Sequence, residues 1–345
     1  MKTLVLALMA TTLGTMSYAA QTSPVVPKTM RAVAIDQPGG PEVLKLRTLP
    51  VPTVGANEVL IALHSASVAT WDIQIRRSLA YIQQPKFPYV LGSDGAGTVA
   101  AVGRGVTRFK VGDAVYGYCW DNPKGGFYAE YVAASSDCIS KLPKGVPLED
   151  AGALGASGLT ALSGVDRVLH IQHGETVIIH GGSGAVGTLA LQLAKLRGAR
   201  VLATASGDEG IALVRRLGAD AVVDGRNGDI SAAAREFAPK GADVLLAFAG
   251  GDALEKCLDA LRPGGRAAYP NGVEPAPKPR VGITVTPYDA LFGDEKVQFT
   301  ELNKAVEAGR IEVPIAATFE LADAAAAHRR VEAGRVPGKV LLKMR

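Results

Sequence analysis

Six residues with a spacing that could do chemistry stand near the middle of the chain: Gly182-Ser183-Gly184-Ala185-Val186-Gly187, a Gly-x-Gly-x-x-Gly run. Such a run gains a mechanism when a strand leads into it and a helix leads out. Val177-Ile178-Ile179-His180 precedes it as a short apolar strand. Val186, Leu189, Ala190, Leu193 and Ala194 follow at i, i+3, i+4, i+7 and i+8, one face of a helix. In that setting Gly182 permits the tight turn, Gly184 lets the backbone approach a pyrophosphate, and Gly187 lets helix and strand pack closely. Ser183, Ala185 and Val186 complete the loop, and the helix N-terminus offers unpaired N–H groups and its positive end to phosphate. A turn that binds nothing is the rival reading, and the strand–turn–helix context disfavours it.

The end of the next strand decides which dinucleotide fits. Sites for NAD place an acid there to hold the ribose hydroxyls. This chain has Thr204-Ala205-Ser206-Gly207 instead. With no carboxylate at that spot, a 2′-phosphate is not repelled, Ser206 can donate to it, and Arg226 can pair with it. The expected cofactor is therefore NADPH. Asp208 and Glu209 follow closely and oppose that reading, and Arg226 by itself reads equally well as a solvated surface residue.

These residues need a scaffold. After Pro143 strand-like runs at 177–180, 201–204, 221–223, 244–246 and 267–269 alternate with helix-length segments, the rhythm of βαβ units around a parallel sheet. Before it, from Arg31 to about Leu142, short apolar runs are punctuated by Gly and Pro, the pattern of a compact β-rich domain. The tail adds helical segments at 299–308 and 322–332 and a strand at 339–342, too little for a core, so it is expected to return to the first domain. The 345 residues suit two domains, and a net charge of +4, spread evenly, gives no reason to invoke nucleic acid.

Lys2, an apolar run and Ser17-Tyr18-Ala19 have the layout of a signal peptide over residues 1–19, cleaved before Ala20, with a linker at 20–30. That points to a periplasmic or secreted protein; a start at Met30 would make it cytoplasmic. No later apolar run is long enough to span a membrane. Cys119, Cys138 and Cys257 are isolated and odd in number, and they read as small buried hydrophobes rather than a disulfide framework or metal pair. His180, beside the glycine loop, reads as a packed core histidine.

Further motifs carry a resemblance. Gly92-Ser93-Asp94-Gly95-Ala96-Gly97, Val111-Gly112-Asp113-Ala114-Val115, Gly158-Leu159-Thr160-Ala161, Leu261-Arg262-Pro263-Gly264-Gly265 and Gly338-Lys339-Val340 fall in order along the chain. Together with the glycine loop they resemble the medium-chain dehydrogenases and reductases, in the zinc-independent branch similar to quinone oxidoreductases. The resemblance implies an α/β fold: a GroES-like β-rich catalytic domain at 31–149 and 288–345, and a Rossmann doubly wound parallel-sheet domain at 150–287 that binds NADPH. It places Thr160 near the nicotinamide and Lys339 among the cofactor contacts. Zinc members of the family carry a cysteine within the segment that here reads Ser67-Val68-Ala69-Thr70-Trp71-Asp72, and a His-Glu pair where Ser93 and Asp94 stand. No metal is expected.

What the resemblance implies is hydride transfer from NADPH to a quinone or α,β-unsaturated carbonyl, by an enzyme that is a homodimer. Trp71, Tyr81, Tyr118 and Trp120 are candidates for the pocket wall, since flat aromatic faces suit a flat substrate. The chain departs from the branch at Ala69, Gln74 and Gly210, where asparagine, tyrosine and lysine are usual, which leaves the substrate open. Asp72 matches a family position and reads as structural; no catalytic acid is assigned. A zinc alcohol dehydrogenase and a non-catalytic NADPH-binding protein are the alternatives.

Overall fold

The computed structural model describes residues 26–79, 82, 84–120, 122–290 and 293–344. The proposed signal segment, most of the linker and Tyr81 lie outside the described residues.

The first half is built from β1 (Thr29–Ile35), β2 (Lys45–Pro50), β3 (Glu58–Val68), helix α1 (Thr70–Ser78), β4 (Tyr89–Val90), β5 (Asp94–Val102), β6 (Ala114–Tyr118), β7 (Tyr131–Ser135) and β8 (Ile139–Lys141). β1 pairs with β2 and β4, while β3 is the hub of a larger antiparallel sheet, flanked by β5 and β7. Val59, Leu60, Ile61, Leu63, Ala66 and Val68 of β3 are all buried, so the strand is covered on both faces.

Then come α2 (Gly155–Leu162), β9 (Thr176–His180), α3 (Ala185–Leu196), β10 (Arg200–Ala205), α4 (Gly207–Arg216), β11 (Ala221–Asp224), α5 (Ile230–Phe237), β12 (Ala242–Ala247), α6 (Asp252–Asp259), β13 (Leu261–Pro270) and β14 (Thr284–Tyr288). Every pairing among these strands is parallel, and their order across the sheet is β11-β10-β9-β12-β13-β14. That is the doubly wound order 3-2-1-4-5-6, whose direction reverses between β9 and β12. The carboxyl end of β9, and with it the glycine loop, therefore opens into the crevice where such sheets bind ligands.

The tail holds α7 (Glu295–Gly309), β15 (Ile315–Glu320), α8 (Ala324–Glu332) and β16 (Lys339–Lys343). β16 pairs antiparallel with β3 and parallel with β15, so this part of the tail joins the sheet built on β3. Helix α7 does not follow it. Phe299, Leu302, Ala305 and Val306 pack into the core shared with α2 and α3, while Asn303 reaches the β half and accepts from the Tyr116 hydroxyl (2.7 Å).

The cysteines need a correction. Cys119 and Cys138 are joined by a disulfide, with Cα atoms 5.4 Å apart; only Cys257 is a free buried thiol. The cause is strand register: Gly117 of β6 sits opposite Ile139 of β8, which brings the residues just beyond each strand face to face. Thiol titration of the unreduced protein in denaturant should report one reactive group, Cys257; three would show that the bridge is absent. Breaking the bridge with Cys138→Ser should cost about 2–4 kcal/mol in urea unfolding.

Candidate active site

Helix α3 begins at the N-cap Gly184, which supplies no side-chain cap. Thr188 N–H makes the first bond back to Gly184 C=O (2.9 Å), so the N–H groups of Ala185, Val186 and Gly187 precede the helical ladder. Gly187 is forced by close approach: a Cβ there would lie 2.2 Å from Gly181 O. At Gly184 a Cβ would touch no more than Gly181 O, at 3.5 Å, and would project into the open space at the helix end. The loop is a cradle that suits a pyrophosphate.

Gly182 N–H donates to Thr204 C=O (2.8 Å), tying the loop to the end of β10. Ala205 of β10 pairs with Asp224 of β11, and Gly225 N–H donates to Ala205 C=O (2.8 Å). The two candidates for a 2′-phosphate, Ser206 and Arg226, thus follow neighbouring strand ends. Ser206 caps α4 without a side-chain bond and is half-buried; Arg226 is exposed. Asp224, whose carboxylate accepts Arg226 N–H and is held below the usual range mainly by that bond, ends the third strand rather than the second. Gly210 lies against Ser183, where a Cβ would meet its Oγ at 3.0 Å.

The loop also touches the other half of the molecule. Gly338 N–H donates to Ser183 C=O (2.9 Å), and Gly184 and Gly338 form an isolated parallel bridge. Lys339 follows, almost fully buried, with its ammonium 5.1 Å from the centre of the Trp71 ring. Trp71 in turn donates its indole N–H to Ser93 Oγ (2.8 Å) and tilts against Tyr118, with ring centres 6.4 Å apart. Trp71, Tyr118 and Lys339 are brought together; Trp120, more exposed, stands beyond Tyr118 on the wall of a small cavity with Ser93 and Asp72. Burial pushes the Tyr118 phenol above its usual range, with Asp94 and Asp72 adding to the shift. Thr160 Oγ1 donates back to Ala156 C=O (2.7 Å), and its own carbonyl accepts from the Tyr288 hydroxyl.

Two buried carboxyls flank this cleft, and sequence reasoning gave neither a role. Asp94 accepts from the Ser67 hydroxyl and from Ala156 N–H (3.3 Å); burial raises its pKa, and the Lys339 charge opposes the rise. Asp72, fully buried, is raised to about 7 by burial above all, with Asp94 adding and Lys339 opposing. The i, i+4 spacing of Asp72 and Arg76 on α1 was the available signal that one helix face carried paired charge. His180 is packed as expected: Nδ1 meets Thr204 Oγ1 at 2.8 Å, and burial lowers its pKa to about 4. Among the described residues no group of three or more His, Cys, Asp or Glu side chains is placed to hold a metal ion.

A doubly wound sheet with a glycine loop at its switch point, set against a β domain, is the architecture of the dehydrogenases. Residues 55–144 match the alcohol dehydrogenase GroES-like domain and residues 185–297 the family described as zinc-binding dehydrogenase. The quinone oxidoreductase of Homo sapiens is 32% identical over 91% of this chain and 98% of its own length. The structure of the quinone oxidoreductase from Coxiella burnetii is 30% identical with a TM-score of 0.79, covering 92% of this chain and all (100%) of the other. A mycobacterial protein solved in complex with NADPH is 31% identical, TM-score 0.80, covering 91% and 100%. The chain belongs to the quinone oxidoreductase branch of the medium-chain dehydrogenases and reductases.

Gly184→Val should abolish dinucleotide binding while leaving the melting temperature nearly unchanged, because the new side chain fills the cradle without striking the protein. Fluorescence titration checks this, and normal binding would show that the loop is not the phosphate site.

Proposed function

We propose that the protein reduces quinones or α,β-unsaturated carbonyls with NADPH. The observation that carries this reading is the juxtaposition of the open glycine cradle, at the switch point of the sheet, with the Trp71, Tyr118 and Lys339 cluster of the β half. NADPH would be held by the loop from Gly182 to Gly187, by Ser206 and Arg226 at its 2′-phosphate, and by Thr160 and Lys339 toward the nicotinamide. Bound there, it supplies a hydride. The chain's own part is to orient the acceptor against aromatic faces and to exclude water, since Trp71, Tyr118 and Lys339 are largely buried. Within this reading residues 150–287, joined by α7, form the cofactor domain, and 31–149 with the remainder of 288–345, through β16, the substrate domain.

Oxidation of NADPH and NADH by purified protein across a panel of quinones, enones and aldehydes tests the proposal. Turnover is expected with quinones or enones, with NADPH bound more tightly than NADH. Ser206→Asp should weaken NADPH selectively by setting charge against charge. Equal or reversed cofactor affinities, or turnover confined to alcohols and aldehydes with added zinc, would overturn it.

We also propose that residues 1–19 direct export and that the mature protein is a homodimer in an oxidising compartment. The Cys119–Cys138 bridge supports the compartment, since such bonds persist where thiols are not kept reduced. No helix among the described residues is long and apolar enough to cross a membrane. The outer strand β14 is one edge of the parallel sheet, and its unpaired side is where a second copy would dock. Protein isolated from its native cell should begin at Ala20 and scatter light as a dimer. A start at Met30, an intact Met1 in the cytoplasmic fraction, or a monomer would refute the respective part.

A further inference from the structure

A line of buried polar side chains crosses the β half, from the surface at α8 to the cleft, and chemistry fixes the direction of each of its hydrogen bonds. Arg76 has no exposed surface, and its guanidinium can only donate. Its Nη2 donates to Glu332 (2.6 Å), its Nε to Gly39 C=O (3.1 Å), and its Nη1 lies 3.2 Å from His328 Nδ1. His328 Nδ1 must therefore accept. Burial and the Arg76 charge hold the imidazole neutral, its pKa lowered to about 3, so its one proton is on Nε2. That proton points at the Tyr128 oxygen, 3.1 Å away, whose own hydrogen is left to donate to Asp72 Oδ2 (3.3 Å). Ala69 N–H donates to the same oxygen (2.8 Å).

Asp72 Oδ2 is thus an acceptor twice over, and a proton on this carboxyl can ride only on Oδ1. Oδ1 is buried and has no hydrogen-bond partner in the protein. An orphaned buried oxygen of this kind costs free energy, so its retention calls for a role. Asp72 also walls a cavity of about 10 Å³ together with Leu91, Gly92, Ser93 and Trp120, room for one water molecule. Ser93 also accepts the Trp71 indole N–H, which links this cavity to the Trp71, Tyr118 and Lys339 cluster.

We propose that Asp72 is the proton donor of the reduction, passing the proton on its Oδ1 through one water in this cavity to the reduced substrate. The inference rests on the quinone or enone reading above. When the hydride, delivered by NADPH, forms a C–H bond at the β-carbon of an enone, the C=C electron pair shifts to make an enolate. The Oδ1–H bond then breaks, the water hands a proton to the enolate, and Asp72 is left as a carboxylate. The substrate has gained a hydride and a proton, NADPH has been oxidised to NADP⁺, and solvent returns the proton to Asp72. The new carboxylate is steadied by Tyr128 O–H, Ala69 N–H and the Lys339 ammonium. Arg76, His328 and Tyr128 are positioning residues: they dictate which oxygen carries the proton.

The charged and titratable groups that face Asp72 are Asp94 from β5, Tyr118 from β6, Lys339 from β16 and Tyr128 from the loop before β7, with His328, Arg76 and Glu332 behind Tyr128. Donation needs the protonated form, raised to about 7 chiefly by burial, so kcat should hold at acid pH and fall as pH rises through that region. Asp72→Asn should keep its affinity for NADPH and KM for substrate, lose about 10²–10³ in kcat, and lose the alkaline limb. Tyr128→Phe removes a donor to the carboxylate, so its limb should move to higher pH. In the cofactor-free protein, carbon-13 NMR of labelled aspartate should show a carboxyl titrating near neutrality that is absent from Asp72→Asn.

An Asp72→Asn variant with undiminished kcat and an intact limb would overturn the proposal, as would a wild-type spectrum with every aspartate titrating in the ordinary range. Should Asp72→Asn fail to fold, an unmoved limb in Tyr128→Phe would overturn it equally. A wild type inert toward every quinone and enone would refute the functional reading itself, an outcome distinct from a variant losing an activity that the wild type shows.

Discussion

The hydrogen bond from Gly338 N–H to Ser183 C=O ties the glycine loop directly to the other half of the molecule. It joins the turn leading into β16, a strand anchored in the β sheet through β3, to the loop that launches α3. Because the next residue is Lys339, the same contact delivers an ammonium to the cleft. Its burial is tolerable only because Asp72 and Asp94 lie within electrostatic reach and the Trp71 ring lies against it. The glycine loop therefore does two things at once: it leaves the backbone N–H groups of Ala185, Val186 and Gly187 outside the helical ladder, and it receives the turn leading into β16.

The cleft shows how this scaffold works without the residues that hold zinc elsewhere in the family. The segment Ser67–Asp72 carries no cysteine, Ser93 is small, and the space is organised by Trp71 and the two buried carboxyls. Each carboxyl is braced differently. Asp94 is held by a hydroxyl and a helix N–H, with both oxygens occupied. Asp72 has one oxygen doubly occupied, by Ala69 N–H and Tyr128 O–H, and the other unengaged; α8 contributes through His328, which orients the Tyr128 hydroxyl.

Local patterns in the sequence made the parallel half legible. Continuous apolar strands, the helix stripe from Val186 to Ala194 and the glycine loop all declare themselves within a few residues, and the observed elements match them. What depends on register did not show. Cys119 and Cys138 meet only because β6 pairs with β8 across an excursion that includes β7, and neither strand announces its partner. The path of α7 was hidden for a similar reason: its apolar residues suit either core, and contact with α2 and α3 decides between them. Among site residues, Thr160 and Lys339 came from the family resemblance, and nothing local predicted that Lys339 would lie over Trp71. Asp72 was visible as a residue but not as the end of a chain that begins 260 positions later, at Glu332.

Glu332 is the partly exposed terminus of that chain and is shared by Arg76, which has no surface at all, and Arg77, which is largely in solvent. The two arginines look equivalent in the sequence, side by side and paired with one acid, yet their tolerance to change is opposite. Arg77 can be exchanged at little cost, as a solvated ion pair contributes little. Glu332 cannot, because its loss strands a guanidinium inside the β domain without a counter-charge. A position at the rim of the fold thus obeys the rules of its interior.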